Sequence, residues 1–529
     1  MRHIVVCCDG TWNRADQARD GVPTPTNVRV FHNLLADTAQ DGTRQVARYF
    51  SGVGADGSLL SRTFDGGTGR GLSRNIMNAY LWLANTYEPG DLISVVGFSR
   101  GAYTVRSLVA MLTSCGLARV AAPGSGAPGG AWDVVRRVYE DGYVPGVGRR
   151  DRAWHAGTTF FPDFGPPADA ADRAALGARI EFLGVWDTVG SLGIPDFFGL
   201  LNLADDDAGY AFHDTHLNPG VRCARHAVAL DERRGPFAPT LWTTPSGQPL
   251  QDADRVQQLW FPGCHSDVGG GYRESGLSDG ALRWMIDEAG AHTSLAFSSQ
   301  AKEIEGDPFD VLHDSCVGPY QRISPTPRSV PRIRPESDRV HDSALRRCLQ
   351  PPARQDPYRP SVELEPGQRR TAEIFAHLPW CETGVYVRDG CTYRLTACGE
   401  WIDKDEVAGP DGIDEPSFVG RMAYGLGAVA DSIEVQLRTL TQNPLAELPL
   451  SKRFDGPGAR WMQLVVVVAN GGFDGAGNQL PHQVLGVGRG PRTLRVRGEG
   501  YLYAFANDAW GMYSNNRGSV ELTVERTAC

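Results

Sequence analysis

The stretch Leu92-Ile93-Ser94-Val95-Val96-Gly97-Phe98-Ser99-Arg100-Gly101-Ala102-Tyr103-Thr104-Val105-Arg106-Ser107-Leu108 decides the fold. Residues 92–96 read as a buried strand, residues 102–108 as a helix, and a Gly-x-Ser-x-Gly turn joins them. A nucleophile elbow needs that context. The serine hydroxyl then stands at the top of a sheet, and the following backbone N–H points at a developing oxyanion. Gly97 and Gly101 give the turn its freedom. The competing reading is an ordinary glycine-rich strand-helix turn. The pentapeptide recurs by chance, so the strand before it and the helix after it carry the argument.

Working outward, residues 1 to about 300 alternate short apolar strands with helical stretches. Ile4-Val5-Val6-Cys7-Cys8 reads as a first strand, residues 75–84 as a helix and residues 180–186 as another strand. Near-continuous apolar strands separated by helices predict a mostly parallel sheet covered on both faces. Active sites of such sheets lie beyond the carboxyl ends of the strands, where Asp9, Ser99 and Asp187 fall. Two segments break the rhythm: residues 122–167, and residues 192–218 with an apolar patch, Ile194 to Leu201. That patch reads either as a lid or as a plain buried anchor. Residues 317–366 are rich in Pro and Arg. Beyond Pro366, alternating runs such as Thr392 to Thr396, Gln463 to Val468 and Ser519 to Val524, parted by Gly/Asn/Asp turns, predict a β-sandwich. The expected fold class is α/β, of the α/β-hydrolase type, followed by an all-β jelly-roll or sandwich. The domains are residues 1–365 and 366–529.

A serine hydroxyl needs a base, and the base needs a carboxylate to hold its tautomer. In α/β-hydrolases the chain order is Ser, acid, His. Asp187, at the end of Gly184-Val185-Trp186-Asp187, fits the acid. His265, opening His265-Ser266-Asp267-Val268-Gly269-Gly270-Gly271 after a strand-like run, fits the base. Asp214, Asp231 and Asp267 are rival acids, and His213, His216 and His226 are rival bases. Asp187 as a simple cap is a further alternative. The oxyanion donors expected are the backbone N–H of Arg100 and one from the loop after the first strand, at Gly10 or Thr11. Asp9 has no clear place in that scheme, and a carboxylate at a strand end could simply hold a loop. Together with Asp187, His265 and Asp267 it could instead hold a metal for phosphoester hydrolysis, which is the rival mechanism.

Four motifs in order carry a resemblance: Cys8-Asp9-Gly10-Thr11-Trp12-Asn13, Gly97 to Ala102, Gly184 to Gly190, and His265 to Gly270. Over roughly residues 1–360 the chain resembles the α/β-hydrolase family DUF2235, whose best-known members are phospholipase effectors of bacterial type VI secretion. The resemblance implies a triad of Ser99, Asp187 and His265 that cleaves acyl esters of glycerophospholipids without a cofactor for catalysis. It also implies synthesis in the cytoplasm without a signal peptide, delivery by an injection machine toward a target-cell periplasm, and secretion-machine and immunity-protein partners.

In the second region, Asp508 is followed seven and eight residues later by Asn515 and Asn516, a set of hard oxygen donors that suits calcium. A polar β-turn is the alternative. Residues 366–529 resemble the calcium-dependent galactose-binding lectins of the PA-IL type, through Gly399 to Asp403, Gly409 to Gly412 and the Asp508 to Asn516 loop. That resemblance implies Ca2+ held by the side chains of Asp508, Asn515 and Asn516, a carbonyl at Met512, and a second carbonyl near Asp403 or Lys404. It also implies a glycan partner. The His and Gln that would grip galactose after Gly412 are missing, and His482 is the candidate substitute.

Composition bounds the rest. Of 529 residues, 41% are hydrophobic and 22% charged, an ordinary globular balance. A net charge of −10 argues against coating nucleic acid or anionic lipid, so peripheral membrane contact is the most expected. The amino-terminal apolar run is too short for a secretory signal, and no run of about 18 apolar residues is present. The eleven cysteines lack zinc spacing and fit reduced thiols, with Cys381, Cys391 and Cys398 close enough for a late disulfide.

Overall fold

A computed structural model describes residues 1–11, 13–14, 16–52, 69–120, 130–145, 151, 153–190, 216–252, 254–317, 325–414 and 452–529. The apolar patch at 194–201, most of the 122–130 stretch, His213 and Asp214 lie outside the described residues. The chain divides into two compact units. Unit 1 comprises Met1–Ala229, Pro239–His313 and Asp474–Asn478, and unit 2 comprises Leu230–Ala238, Asp314–Phe473 and Gln479–Cys529. The Pro/Arg-rich segment thus groups with the second unit.

Among the described residues the main sheet of unit 1 has six strands: β1 (His3–Cys8), β2 (Gln45–Phe50), β3 (Leu92–Phe98), β4 (Ile180–Trp186), β5 (Cys223–Ala229) and β6 (Val256–Phe261). They pair in the order β2-β1-β3-β4-β5-β6, and every pairing is parallel. The strands β1, β4 and β5 are buried at every position, as a sheet covered on both faces requires. Alternation sends Ile4, Val6, Ile93 and Val95 to one face, against α2 (Gly69–Thr86) and α3 (Arg100–Cys115). Val5, Cys7, Val96 and Phe98 turn to the other face, where α1 (Asn27–Leu34), α6 (His265–Gly269) and α7 (Gly276–His292) lie. Helices α4 (Ala131–Arg137) and α5 (Ala170–Gly177) complete the described α-helices of this unit. No described helix is long and apolar enough to cross a membrane.

Among its described residues, unit 2 contains α8 (Asp342–Leu349) and nine strands: β7 (Arg369–Phe375), β8 (Cys381–Val387), β9 (Thr392–Asp403), β10 (Glu406–Ala408), β11 (Leu464–Ala469), β12 (Gln483–Gly486), β13 (Arg492–Arg495), β14 (Gly500–Ala506) and β15 (Asn516–Ala528). One antiparallel sheet runs β8-β14-β11-β12, and the other runs β10-β9-β15-β7 with β13 also paired to β9. Tyr393, Leu395 and Trp401 of β9, with Val520, Leu522 and Val524 of β15, share a core with Leu464, Val466, Leu502 and Ala504 from the other sheet. Two antiparallel sheets around a common apolar layer form the expected β-rich architecture. The described cysteines include one bridge, Cys391 to Cys529, while Cys381 and Cys398 are free thiols. The three-cysteine cluster of the sequence therefore contributes one partner, and the other comes from a strand end 138 residues away that antiparallel pairing of β9 and β15 brings alongside.

Candidate functional site

Strand β3 ends at Phe98 and α3 begins at Arg100, so Ser99 is the turn itself, with φ 58° and ψ −123°. A serine in this region of backbone space costs about 1–3 kcal/mol, which the surrounding structure must offset. The glycines contribute space rather than positive φ. A Cβ on Gly97 would sit 2.5 Å from the Gly101 carbonyl oxygen, and one on Gly101 would collide with the Cys8 carbonyl oxygen at the end of β1. The neighbouring strand ends also hold the turn, since Ser99 N–H donates to the Trp186 carbonyl at 3.0 Å.

The structure brings Asp187 and His265 together. Asp187 Oδ2 lies 2.6 Å from His265 Nδ1, and Asp187 Oδ1 accepts from Ala229 N–H at 2.9 Å. Asp187 is fully buried just past β4, with φ 37°. A carboxylate held on both oxygens fixes one imidazole tautomer, proton on Nδ1, and leaves Nε2 as the basic nitrogen. His265 opens α6, and its ring lies 4.5 Å from that of Phe98, the residue before Ser99. Gly269 keeps this packing possible, because a Cβ there would strike the Phe98 ring.

Among the rivals, His226 accepts from Thr188 N–H at Nε2 (3.1 Å) and faces Gln258 Oε1 at Nδ1 (3.2 Å), the bonding of a buried structural histidine. Asp231 accepts from Tyr358 and Arg359. Asp267 accepts from the N–H groups of Cys264 and His313 and lies 2.6 Å from His313 Nδ1. It thereby clasps the turn that leads into α6, and its hydrogen bond draws the His313 pKa upward. That partner, 46 residues downstream, carries no signal in the sequence.

Asp9 is bound by its own surroundings: Oδ1 accepts from Gly10 N–H at 2.7 Å, and Oδ2 from Thr26 Oγ1 and Tyr49 OH, both at 2.6 Å. Burial nevertheless pushes its pKa up to about 6. The four-residue metal site considered from the sequence is not assembled. Asp9 and Asp267 engage different partners, and among the described residues no group of three His, Cys, Asp or Glu side chains is placed to hold a metal ion. The Gly10 amide, expected as an oxyanion donor, is committed to Asp9, which corrects that expectation. Its loop still lies against Ser99, since a Cβ on Gly10 would come 3.1 Å from Ser99 Cβ.

Residues 2–288 match the family model "T6SS, Phospholipase effector Tle1-like, catalytic domain", more than half of the chain. The chain belongs to the Tle1-like phospholipase effector family. As a Tle1-like chain it is also 28% identical over 255 residues to "Uncharacterized protein YEL023C" of Saccharomyces cerevisiae, covering 46% of this chain and 33% of that one. It thus spans about a third of that curated relative. Solved structures similar to it include an uncharacterized protein from Pseudomonas aeruginosa (18% identity, 58% of this chain and 49% of that one, TM-score 0.30). Another is the Tle1 effector bound to the VgrG spike (18%, 51% and 51%, TM-score 0.25). A third, "EclA N-terminal domain; PllA-like lectin", is 17% identical and covers 30% of this chain and 95% of that one, with a TM-score of 0.18.

In unit 2 the Tle1-like chain carries a second polar cluster. Asp508 follows β14; its Oδ1 accepts from Ala509 N–H at 2.7 Å and its Oδ2 from Asn516 Nδ2 at 2.8 Å. Asn515 Nδ2 donates to Asp403 Oδ1 at 3.0 Å. The amide oxygens of Asn515 and Asn516 are both buried without a hydrogen-bond donor. Burial first, and the Asp403 charge among the lesser causes, push the Asp508 pKa up to about 6. Orphaned buried oxygens beside a buried carboxylate are a hard-donor set that fits a cation such as calcium. Beneath this loop, buried Arg453 stacks between Phe505 (3.7 Å) and Trp510 (4.0 Å) and donates to Tyr513 OH at 2.7 Å. His482, by contrast, is committed: Nδ1 accepts from Gly471 N–H and Nε2 donates to the Pro327 carbonyl.

Proposed function

We propose that the chain is a serine esterase that releases fatty acid from glycerophospholipids through Ser99, His265 and Asp187. The observation that carries this reading is the 2.6 Å Asp187–His265 pair, assembled from the ends of β4 and β6 next to a strained Ser99 at the end of β3. Ser99 Oγ attacks the acyl carbonyl as His265 Nε2 takes its proton, and Asp187 stabilises the resulting imidazolium. The N–H groups of Arg100 and Thr11 hold the oxyanion. The imidazolium gives its proton to the departing alkoxide oxygen, and water then repeats the sequence on the acyl-enzyme. Family membership supports lipid ester as the substrate class and delivery by a type VI machine.

We assign the Asp508, Asn515 and Asn516 cluster, with the Met512 carbonyl, to calcium, on the strength of the two orphaned amide oxygens. The ion would supply a fixed positive centre for sugar hydroxyls, so the second region acts as a glycan-binding module. Its specificity differs from that of galactose binders, because residues 413–418 lack the expected His and Gln.

The deciding experiment measures fatty-acid release from mixed phospholipid vesicles by wild type and Ser99→Ala, each with and without EDTA. Release lost in the mutant and kept in EDTA supports the serine mechanism. Fatty-acid release abolished by EDTA turns to metal-assisted hydrolysis of the acyl ester; headgroup or diacylglycerol released in place of fatty acid turns to metal-dependent phosphoester chemistry, and no product at all from wild type turns to a glycan-binding protein on a non-catalytic hydrolase scaffold.

A further inference from the structure

We propose that Asp9 is a positioning residue that ties the loop beside the nucleophile to the helix carrying the catalytic histidine, through Thr26 and Asn27. The inference rests on the serine-esterase reading above, and the mechanism itself uses none of these three residues.

Asp9 is 2% exposed at the end of β1, yet its carboxylate collects donors from three separate parts of the chain. Gly10 N–H and the Asn13 side chain come from its own loop, Tyr49 OH from β2, and Thr26 Oγ1 from the start of α1. Thr26 uses both capacities of its hydroxyl. It donates to Asp9 and, as N-cap of α1, accepts from Arg29 N–H at 3.3 Å. Thr26 also bridges Gly270, just past α6, where φ is 83° and a Cβ would press on the Asn27 amide nitrogen at 2.7 Å.

Asn27 completes the connection. Its Nδ2 donates at 2.9 Å to the carbonyls of both Val268, within α6, and Ser278, within α7. The side chains of two consecutive residues, Thr26 and Asn27, thus hydrogen-bond one to the loop that lies against Ser99 and the other to the five-residue helix that begins with His265. Two catalytic loops that are far apart in sequence need such a common anchor, since a misplacement of about 1 Å costs roughly 100-fold in rate. Asp9 has no role as a nucleophile or metal ligand in this arrangement, because both of its oxygens are occupied by protein donors.

Burial of an ionised carboxylate is a cost to folding that a purely structural residue would shed, so function and stability should separate on mutation. The experiment follows Ser99 labelling by a fluorophosphonate, hydrolysis of a soluble acyl ester and thermal midpoint in wild type, Asp9→Asn, Thr26→Val and Thr26→Ser. Asp9→Asn and Thr26→Val should lose about 10- to 100-fold in kcat and in labelling rate with little change in KM. Thr26→Ser, which keeps the hydroxyl, should restore both, and Asp9→Asn should melt no lower than wild type. Wild-type kcat in Asp9→Asn and Thr26→Val overturns the proposal, as does a loss that merely follows the melting temperature and is not rescued by serine. A wild type that takes no label at Ser99 defeats the esterase reading and this inference with it.

Discussion

Asp187 shows how one side chain can be judged at the scale of its own atoms. One oxygen is held by Ala229 N–H and the other by His265, so Asp187→Asn would preserve shape while reversing the hydrogen bond to Nδ1. The imidazole would then carry its proton on Nε2 and could not accept one from Ser99. Esterase kcat should fall about 10⁴-fold with the fold intact, measured by steady-state kinetics beside circular dichroism. Asp508 gives the second prediction at this scale. Its buried carboxyl titrates near 6, and calcium needs the ionised form, so calcium affinity should weaken as pH falls through about 6. In the metal-free protein the sign is opposite. The folded pKa lies above the unfolded one, so the proton favours the folded state, and lowering pH from 7.5 to 5 should stabilise the second unit by about 1 kcal/mol. Calorimetry in EDTA and in calcium checks both halves; a calcium affinity flat across pH 5 to 7.5 would refute the assignment.

At the scale of elements, the β3-turn-α3 unit shows what the pentapeptide means physically. The sequence reading gives the glycines the task of turning the backbone; in the structure Ser99 carries the positive φ, and the glycines provide clearance against Gly101 and Cys8 backbone atoms. Gly101→Ala should therefore push α3 away from β1 and cost about 1–3 kcal/mol, with a larger proportional loss of activity than of stability. Paired urea denaturation and kinetics would show it, and a neutral Gly101→Ala would contradict the close approach. The periodic elements themselves were legible because buried strands and amphipathic helices write their period into the chain. The pairing of Asp267 with His313, and of Asp9 with Thr26 and Tyr49, was not, because no local pattern relates residues that meet through separate connections.

At the scale of the whole molecule, two units of different class share one chain, and the Cys391–Cys529 bridge closes most of the second. With its two cysteines 138 positions apart in the chain, the bridge should restrict the unfolded chain and stabilise that unit by about 2–4 kcal/mol. Cys529→Ser, or reduction of wild type, should lower its denaturant midpoint, while thiol counting under denaturing conditions should find two fewer free thiols in the oxidised protein. Equal midpoints with and without reductant would remove the bridge from the stability account.

Read by itself, the chain determined its classes of structure and the residues that are candidates for its chemistry. Hydrophobic period separates a parallel sheet from a sandwich, and Gly-x-Ser-x-Gly between strand and helix marks Ser99 as the candidate nucleophile, because both depend on near neighbours. Tertiary structure decided the rest: that His265 meets Asp187 while His226 meets Thr188, that the Gly10 amide serves Asp9, and that Cys391 pairs with Cys529. Each of these is a choice among chemically equivalent partners. Strand order and register, which act over tens to hundreds of residues, set which of those partners come within bonding distance.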